Sequence, residues 1–223
     1  MAEGNCLTIP KKHPTLPETP DGVGGYYTDI TRLIKSKLIK IRHIDSQDFI
    51  KTSGLLKKGD AVITAIANNF MLLDHSKFQI ILMSGFIGSN ESNDLSLLGR
   101  NGSDYSAALM ALGLKAKSCE VWTDVDGIYT GDPNQISAAK LIAEMSYEEA
   151  TELAFYGAKV LHPMTAKVLS NYGIDLYIKN TFNPATEGTK VSNILSNQQT
   201  PLVRGLSCIA NVSLVYIKIY NDY

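Results

Sequence analysis

Short apolar runs that read as buried strands alternate with helical stretches between residues 78 and 178, and this alternation most constrains the fold. Phe78-Gln79-Ile80-Ile81-Leu82-Met83 is a compact β-branched run that ends in Ser84-Gly85-Phe86-Ile87-Gly88. Ser103 to Ala116 is rich in Ala, Leu and Met and predicts a helix, with Ser103 as its N-cap. Cys119 to Thr123 predicts a second strand. Ser146 to Phe155 predicts a helix that opens on a capping box, Ser146 with Glu149. His162 to Asn171 predicts another, with Pro163 in its first turn, Gly173 as its stop and a strand from Ile174 to Ile178 behind it. Strands that alternate with helices imply layered α/β architecture around a mostly parallel sheet.

The segment upstream has a different texture. Pro10, Pro14, Pro17 and Pro20, with Gly22, Gly24 and Gly25, punctuate the first 25 residues too densely for regular elements. From Ile30 to Ile41 the apolar positions Ile30, Leu33, Ile34, Leu38 and Ile41 recur at helical spacing, and the Lys and Arg among them read as a solvated face. No internal repeat is visible.

Bulk properties exclude some functions. A formal net charge of -1 over 223 residues gives no basic face for nucleic acid. No apolar run approaches the ~20 residues of a membrane span. The N-terminus has no apolar core of the kind a signal peptide needs. Cys6, Cys119 and Cys208 are odd in number and fit neither a zinc nor a disulfide spacing, so a cytoplasmic setting is expected.

Chemistry gathers where strands end and helices begin, the position at which open α/β sheets bind ligands. The Gly85-Phe86-Ile87-Gly88 turn lets backbone N–H groups approach an anion, although a plain tight turn explains it equally well. Gly99-Arg100-Asn101-Gly102-Ser103-Asp104-Tyr105 runs a glycine-bounded loop into a helix N-terminus, a natural anion site. Arg100 there suits two-bond recognition of a carboxylate. Trp122-Thr123-Asp124-Val125-Asp126-Gly127-Ile128-Tyr129 leaves a strand through Thr123 and Asp124, polar residues suited to a sugar or purine edge; Gly127 and Pro133 need only ordinary turns. Lys159, among apolar residues before a helix, either snorkels outwards or aims at phosphate. His162 reads as a capping or core residue.

Five strings, in order, resemble the consecutive signatures of aspartate kinases: Gly-Phe-Ile-Gly-Ser (85–89), Gly-Arg-Asn-Gly-Ser-Asp-Tyr-Ser-Ala-Ala (99–108), Trp-Thr-Asp-Val-Asp-Gly-Ile-Tyr-Thr (122–130), Phe-Tyr-Gly-Ala-Lys-Val-Leu-His-Pro (155–163) and Ile-Lys-Asn-Thr-Phe-Asn-Pro (178–184). The Gly-Arg-Asn-Gly-Ser-Asp form is most similar to the bifunctional aspartokinase/homoserine dehydrogenase branch. The resemblance spans roughly residues 44–219 and is strongest over 78–193.

This resemblance implies a three-layer αβα sandwich of the amino acid kinase type and phosphoryl transfer from Mg2+-bound ATP to the β-carboxylate of L-aspartate, giving 4-phospho-L-aspartate for lysine, threonine and methionine biosynthesis. It implies a substrate site of Arg100, Asn101, Gly102, Ser103 and Phe86. It implies an ATP site of Gly85, Gly88, Thr123, Asp124, Tyr129, Lys159 and Val160, with Lys159 on the phosphates and Asp104 organising catalytic lysines. It further implies a homo-oligomer and no dedicated metal site. The domain boundaries expected are an irregular segment over 1–29, the kinase domain over 30–197, and a linker with the start of an ACT-like regulatory domain over 198–223.

Two features depart from the family pattern. Asn134 follows Asp132-Pro133 where family members carry Arg, and no Lys-Phe-Gly-Gly-Thr string marks a first strand. The chain alone is therefore expected to be catalytically weak, with uncovered strand edges. A non-catalytic remnant that binds nucleotide or partner subunits is the alternative; sibling kinases of glutamate, acetylglutamate or nucleoside monophosphates share the fold but lack the Gly-Arg-Asn-Gly-Ser-Asp string.

Overall fold

Strand β1 (Asn5–Thr8) lies inside the segment expected to be irregular, and it pairs in parallel with the strand that carries Cys119 to Thr123. Its four residues run along β9 from Asn5 opposite Ser118 to Thr8 opposite Val121, and β1 is itself the outermost strand of that sheet. Pro and Gly density flags the surrounding loops but not a four-residue strand between them. The computed structural model describes residues 5–8, 39–53, 57–58, 60–61, 66, 68–70, 73, 77–99, 102–155, 161, 163–195 and 203–207.

The elements after β1 follow in chain order: β2 (Ile41–Ile44), α1 (Ser46–Phe49), β3 (Thr52–Ser53), β4 (Lys57–Lys58), β5 (Asp60–Ala61), β6 (Ile80–Met83), β7 (Ile87–Ser89) and β8 (Leu95–Leu97). Then come α2 (Gly102–Gly113), β9 (Ser118–Thr123), β10 (Glu144–Ser146), α3 (Tyr147–Phe155), α4 (Pro163–Asn171), β11 (Asp175–Asn180) and β12 (Thr189–Ser192). The main sheet has the order β1-β9-β11-β12-β10. Its pairs are parallel except β11 with β12, which turn back through a short loop. The expected mostly parallel α/β architecture is the one observed.

Residue period two sets the faces of this sheet. One row across four strands is Cys119, Leu176, Val191 and Met145, each with no exposed surface. The adjacent row is Glu120, Tyr177, Lys190 and Glu144, all half-buried and partly ion-paired: Lys190 lies 3.1 Å from Asp175 and 3.9 Å from Glu144. Helices α2, α3 and α4 pack side by side. Ala108, Leu109, Ala111, Ala166 and Leu169 join the apolar row in one core. Burying a side chain such as Leu169 or Leu176 contributes about 1.5–3 kcal/mol.

The local signals behave as expected where the partners are near in sequence. Glu149 accepts from the Ser146 amide at 2.8 Å while Glu149's own amide donates to Ser146 Oγ at 3.1 Å, the reciprocal pair of a capping box. Gly173 ends α4 at φ 64°.

Two expectations need correction. Helix α2 begins at Gly102, so Ser103 lies inside the first turn rather than capping it. The helical spacing drawn through Ile41 fails from residue 39 onwards; residues 30–38 lie outside the described residues. Ile41 to Ile44 instead form β2 against β6, with Ile44 buried and Arg42 stacked 6.0 Å over Phe78. A parallel ladder that buries Ile44 and Leu82 overrides the weak helical propensity of the two isoleucines in Ile41–Ile44.

Candidate functional site

Strand β6 ends at the chemistry. After Met83 the chain turns through Ser84, Gly85 and Phe86 before β7 starts at Ile87. Phe86 takes φ 77°, an unusual left-handed value for an aromatic residue. It is held by two hydrogen bonds: its amide donates to Ser106 Oγ at 2.8 Å, and its carbonyl accepts from the Leu98 amide at 3.0 Å. Ser106 is in α2 and donates back to the Gly102 carbonyl at 2.8 Å. The first two sequence junctions therefore become one structure, a strand-end turn closed onto a helix N-terminus.

Absent β-carbons permit this closure. A Cβ on Gly85 would sit 3.1 Å from Ser103 Cα, and one on Gly102 would sit 3.0 Å from the Phe86 ring. Gly88 belongs to different packing. It is buried in β7, where a Cβ would lie 2.5 Å from the Ile50 carbonyl oxygen. The fold alone accounts for glycine at 88.

On α2, Ser103 is exposed and Asp104 is half-buried in the first turn. Burial pushes the Asp104 carboxyl up to about 6, and it has no hydrogen-bond or ion partner among the described residues. A helix N-terminus favours a carboxylate, but desolvation wins here. The group is poised to gain from a cation brought close.

The third junction lies beyond β9. Thr123 is paired with Asn180 at the end of β11, and the Thr181 amide donates to the Thr123 carbonyl at 2.9 Å. Thr123 Oγ1 donates to Asp124 Oδ1 at 3.1 Å, and Asp124 itself is exposed. Past it, Asp126 collects three donors. Tyr129 donates to Oδ2 at 3.1 Å; Asn180 and Asn183 donate through Nδ2 to Oδ1 at 2.7 and 3.3 Å. The Asn180 bond, with those from Tyr129 and Asn183, holds the Asp126 carboxyl below its usual range. Burial and the Asp126 bond raise the Tyr129 phenol. Helix α2 packs against β9, which links this loop to the first cluster.

Asn134 caps its own turn: its amide and side chain both donate to Asp132 Oδ1, at 2.9 and 3.1 Å. Arg100, Asn101, Lys159, Val160 and His162 lie outside the described residues. Asp126, Asn180 and Asn183 were not singled out from sequence. Their signal was present as polar residues at the ends of two runs that proved to be adjacent parallel strands. A cleft of about 520 Å³, lined by Arg42, Phe49, Asn69 and Phe78 among others, shares no residue with these loops. Among the described residues no cluster of three His, Cys, Asp or Glu could cage a metal ion, and no helix is long and apolar enough to cross a membrane.

Glycine-rich and polar loops at the carboxyl ends of parallel strands are where open α/β sheets bind their ligands, and they define this chain as an α/β protein of that class. The model of the amino acid kinase family matches residues 11–180, and the chain belongs to that family. Within it the chain is similar to aspartokinases. It is 40 % identical over 190 residues to the bifunctional aspartokinase/homoserine dehydrogenase of Haemophilus influenzae, covering 85 % of this chain and 22 % of that protein. It is 38 % identical over 159 residues to the aspartokinase of Rickettsia felis, covering 71 % of this chain and 39 % of the relative. Among solved structures, Escherichia coli aspartokinase III in complex with aspartate and ADP superposes with a TM-score of 0.72 at 35 % identity, over 78 % of this chain and 39 % of that one. The chain thus spans well under half the length of these relatives.

Proposed function

We propose that this chain is the nucleotide- and substrate-binding part of an aspartate kinase. In this reading a β-carboxylate oxygen of L-aspartate attacks the γ-phosphorus of ATP, ADP leaves, and the product is the mixed anhydride 4-phospho-L-aspartate. The observation that carries the reading is the pairing of two strand-end loops. One closes onto the α2 N-terminus beside β6, and the other presents Thr123, Asp124 and Tyr129 beyond β9. A relative solved with aspartate and ADP supports the same pair of ligands.

Phosphoryl transfer asks a protein for positioning and charge neutralisation more than for covalent chemistry. Arg100 grips the substrate carboxylate, with Asn101, Gly102, Ser103 and Phe86 shaping the turn around it. Thr123, Asp124, Tyr129 and Val160 hold the nucleotide, with Gly85 in the turn and Gly88 in β7 beside it, and Lys159 meets the phosphates. Asp104, raised towards neutrality by burial, orders the cations there and regains its charge when a lysine ammonium approaches. Magnesium would enter with the nucleotide, held by phosphate oxygens and water, and would neutralise phosphate charge.

Trapping the product with hydroxylamine tests this directly. ATP- and aspartate-dependent formation of aspartyl hydroxamate, very slow with this chain alone and absent with glutamate, is the expected outcome. Phosphorylation of a nucleoside monophosphate, or none of any acceptor despite tight ATP binding, would overturn the assignment of aspartate as substrate.

A further inference from the structure

We infer that Asp126 is a positioning residue for the nucleotide: its carboxylate orients the Tyr129 hydroxyl and ties the loop after β9 to the loop after β11. The inference rests on the proposed nucleotide role of Tyr129.

Both loops leave the sheet side by side, because Thr123 and Asn180 are paired partners in a parallel ladder. Nothing in that ladder fixes what happens beyond it. The Thr181 amide on the Thr123 carbonyl, at 2.9 Å, carries the pairing one residue further, and beyond that one side chain ties the two loops. Asp126 reaches across to Asn180 and Asn183, which are 54 and 57 residues away in sequence, and back to Tyr129. The second loop is itself braced: Asn180 Oδ1 accepts from the Phe182 amide at 2.8 Å, and Asn183 Nδ2 also donates to Thr186 Oγ1 at 2.7 Å. The backbone adds a further constraint. Gly188 at φ 82° has no room for a Cβ, which would fall 2.0 Å from the Ile178 carbonyl oxygen and 3.4 Å from that of Asp126.

The chemistry of the hub argues against direct contact with phosphate or metal. Both oxygens of Asp126 already accept from neutral donors, two amides and a phenol. The carboxylate keeps its charge within these three bonds and would repel a polyphosphate, so it acts through the phenol and the loop backbone that it holds. Asparagine in its place keeps the shape but removes the charge from all three bonds, and its amide, turned towards Tyr129, reverses that bond so that the phenol accepts.

The test is titration of ADP with magnesium, and separately of L-aspartate, against the 223-residue chain and its variants. Asp126→Asn is expected to weaken ADP about tenfold, the size of one lost charge-assisted hydrogen bond, while aspartate affinity stays unchanged. Asp126→Glu is expected to recover part of the loss. Tyr129→Phe should weaken ADP similarly, and the double variant should lose no more than either single one. Equal ADP affinity in wild type and Asp126→Asn, additive losses, or a parallel loss of aspartate affinity would each overturn the inference alone. If Asp126→Asn fails to fold, Tyr129→Phe decides, and unchanged ADP affinity there overturns it. A wild-type chain that binds no ADP would overturn this inference together with the proposed function.

Discussion

The two halves of the candidate site differ in what chiefly holds them together. Beside β6 steric fit dominates, in the turn and in the strand it feeds: glycines at 85 and 102, and Gly88 in β7, admit backbone and ring atoms within 2.5–3.1 Å of where a methyl would be. Beyond β9 the loop is fixed by polarity, with one carboxylate accepting three hydrogen bonds. Adding a methyl group should break the first half, whereas removing a charge should break the second. The difference fits the ligands proposed for each. A small amino acid needs a closely shaped turn, whereas a nucleotide needs a longer loop held at a fixed angle.

The largest effect expected is on the steric side. Gly88→Ala drives a methyl into the Ile50 carbonyl, which is backbone and cannot swing aside. It should destabilise the fold by about 3 kcal/mol, at the upper end for overpacking. Denaturant melts would check this; a loss below about 0.5 kcal/mol would show that the two halves do not differ as described.

Asp104→Asn should come next, with the opposite sign. The folded carboxyl is raised from 3.8 to about 6, so its contribution favours the fold below about pH 4 and is lost as pH rises through 6. At pH 7.5 the variant should be more stable by up to about 2 kcal/mol, allowing for partial exposure, and phosphoryl transfer should fall. Melting temperatures of wild type and variant should converge near pH 4. Parallel curves from pH 4 to 8 would remove burial as the cause.

Arg100→Lys sharpens the comparison from the ligand side. Lysine cannot reproduce the planar two-bond grip on a carboxylate, so aspartate should bind about tenfold more weakly while ADP affinity holds. Equal loss of both ligands in calorimetry would make Arg100 a structural residue.

Arg204→Ala should have the smallest effect. Arg204 pairs with Glu149 at 3.4 Å and donates to the Glu144 carbonyl, and next to it the Leu206 amide donates to the Thr130 carbonyl at 2.9 Å. This segment therefore leans on the loop that carries Tyr129. Loss of the arginine should cost about 1 kcal/mol and speed hydrogen exchange at Leu206 and Thr130. Unchanged exchange there would detach the segment from the loop.

By itself the sequence determined the elements whose partners lie within a few residues: the capping box at Ser146 and Glu149, the stop at Gly173, the strand at Ile80–Met83 and the long helix after Gly99. Local hydrogen bonds and apolar periodicity are written in consecutive residues, so they can be read there. The motif strings likewise marked which strand ends matter. Tertiary structure decided the rest. It made Ile41–Ile44 a strand by pairing it with β6, placed Asn5–Thr8 at the edge of β9, and set Gly88 against Ile50. It also brought Asn180 and Asn183 to Asp126. These outcomes depend on which strands become neighbours and in what register, and a parallel ladder joins residues too far apart in sequence for any local pattern to record.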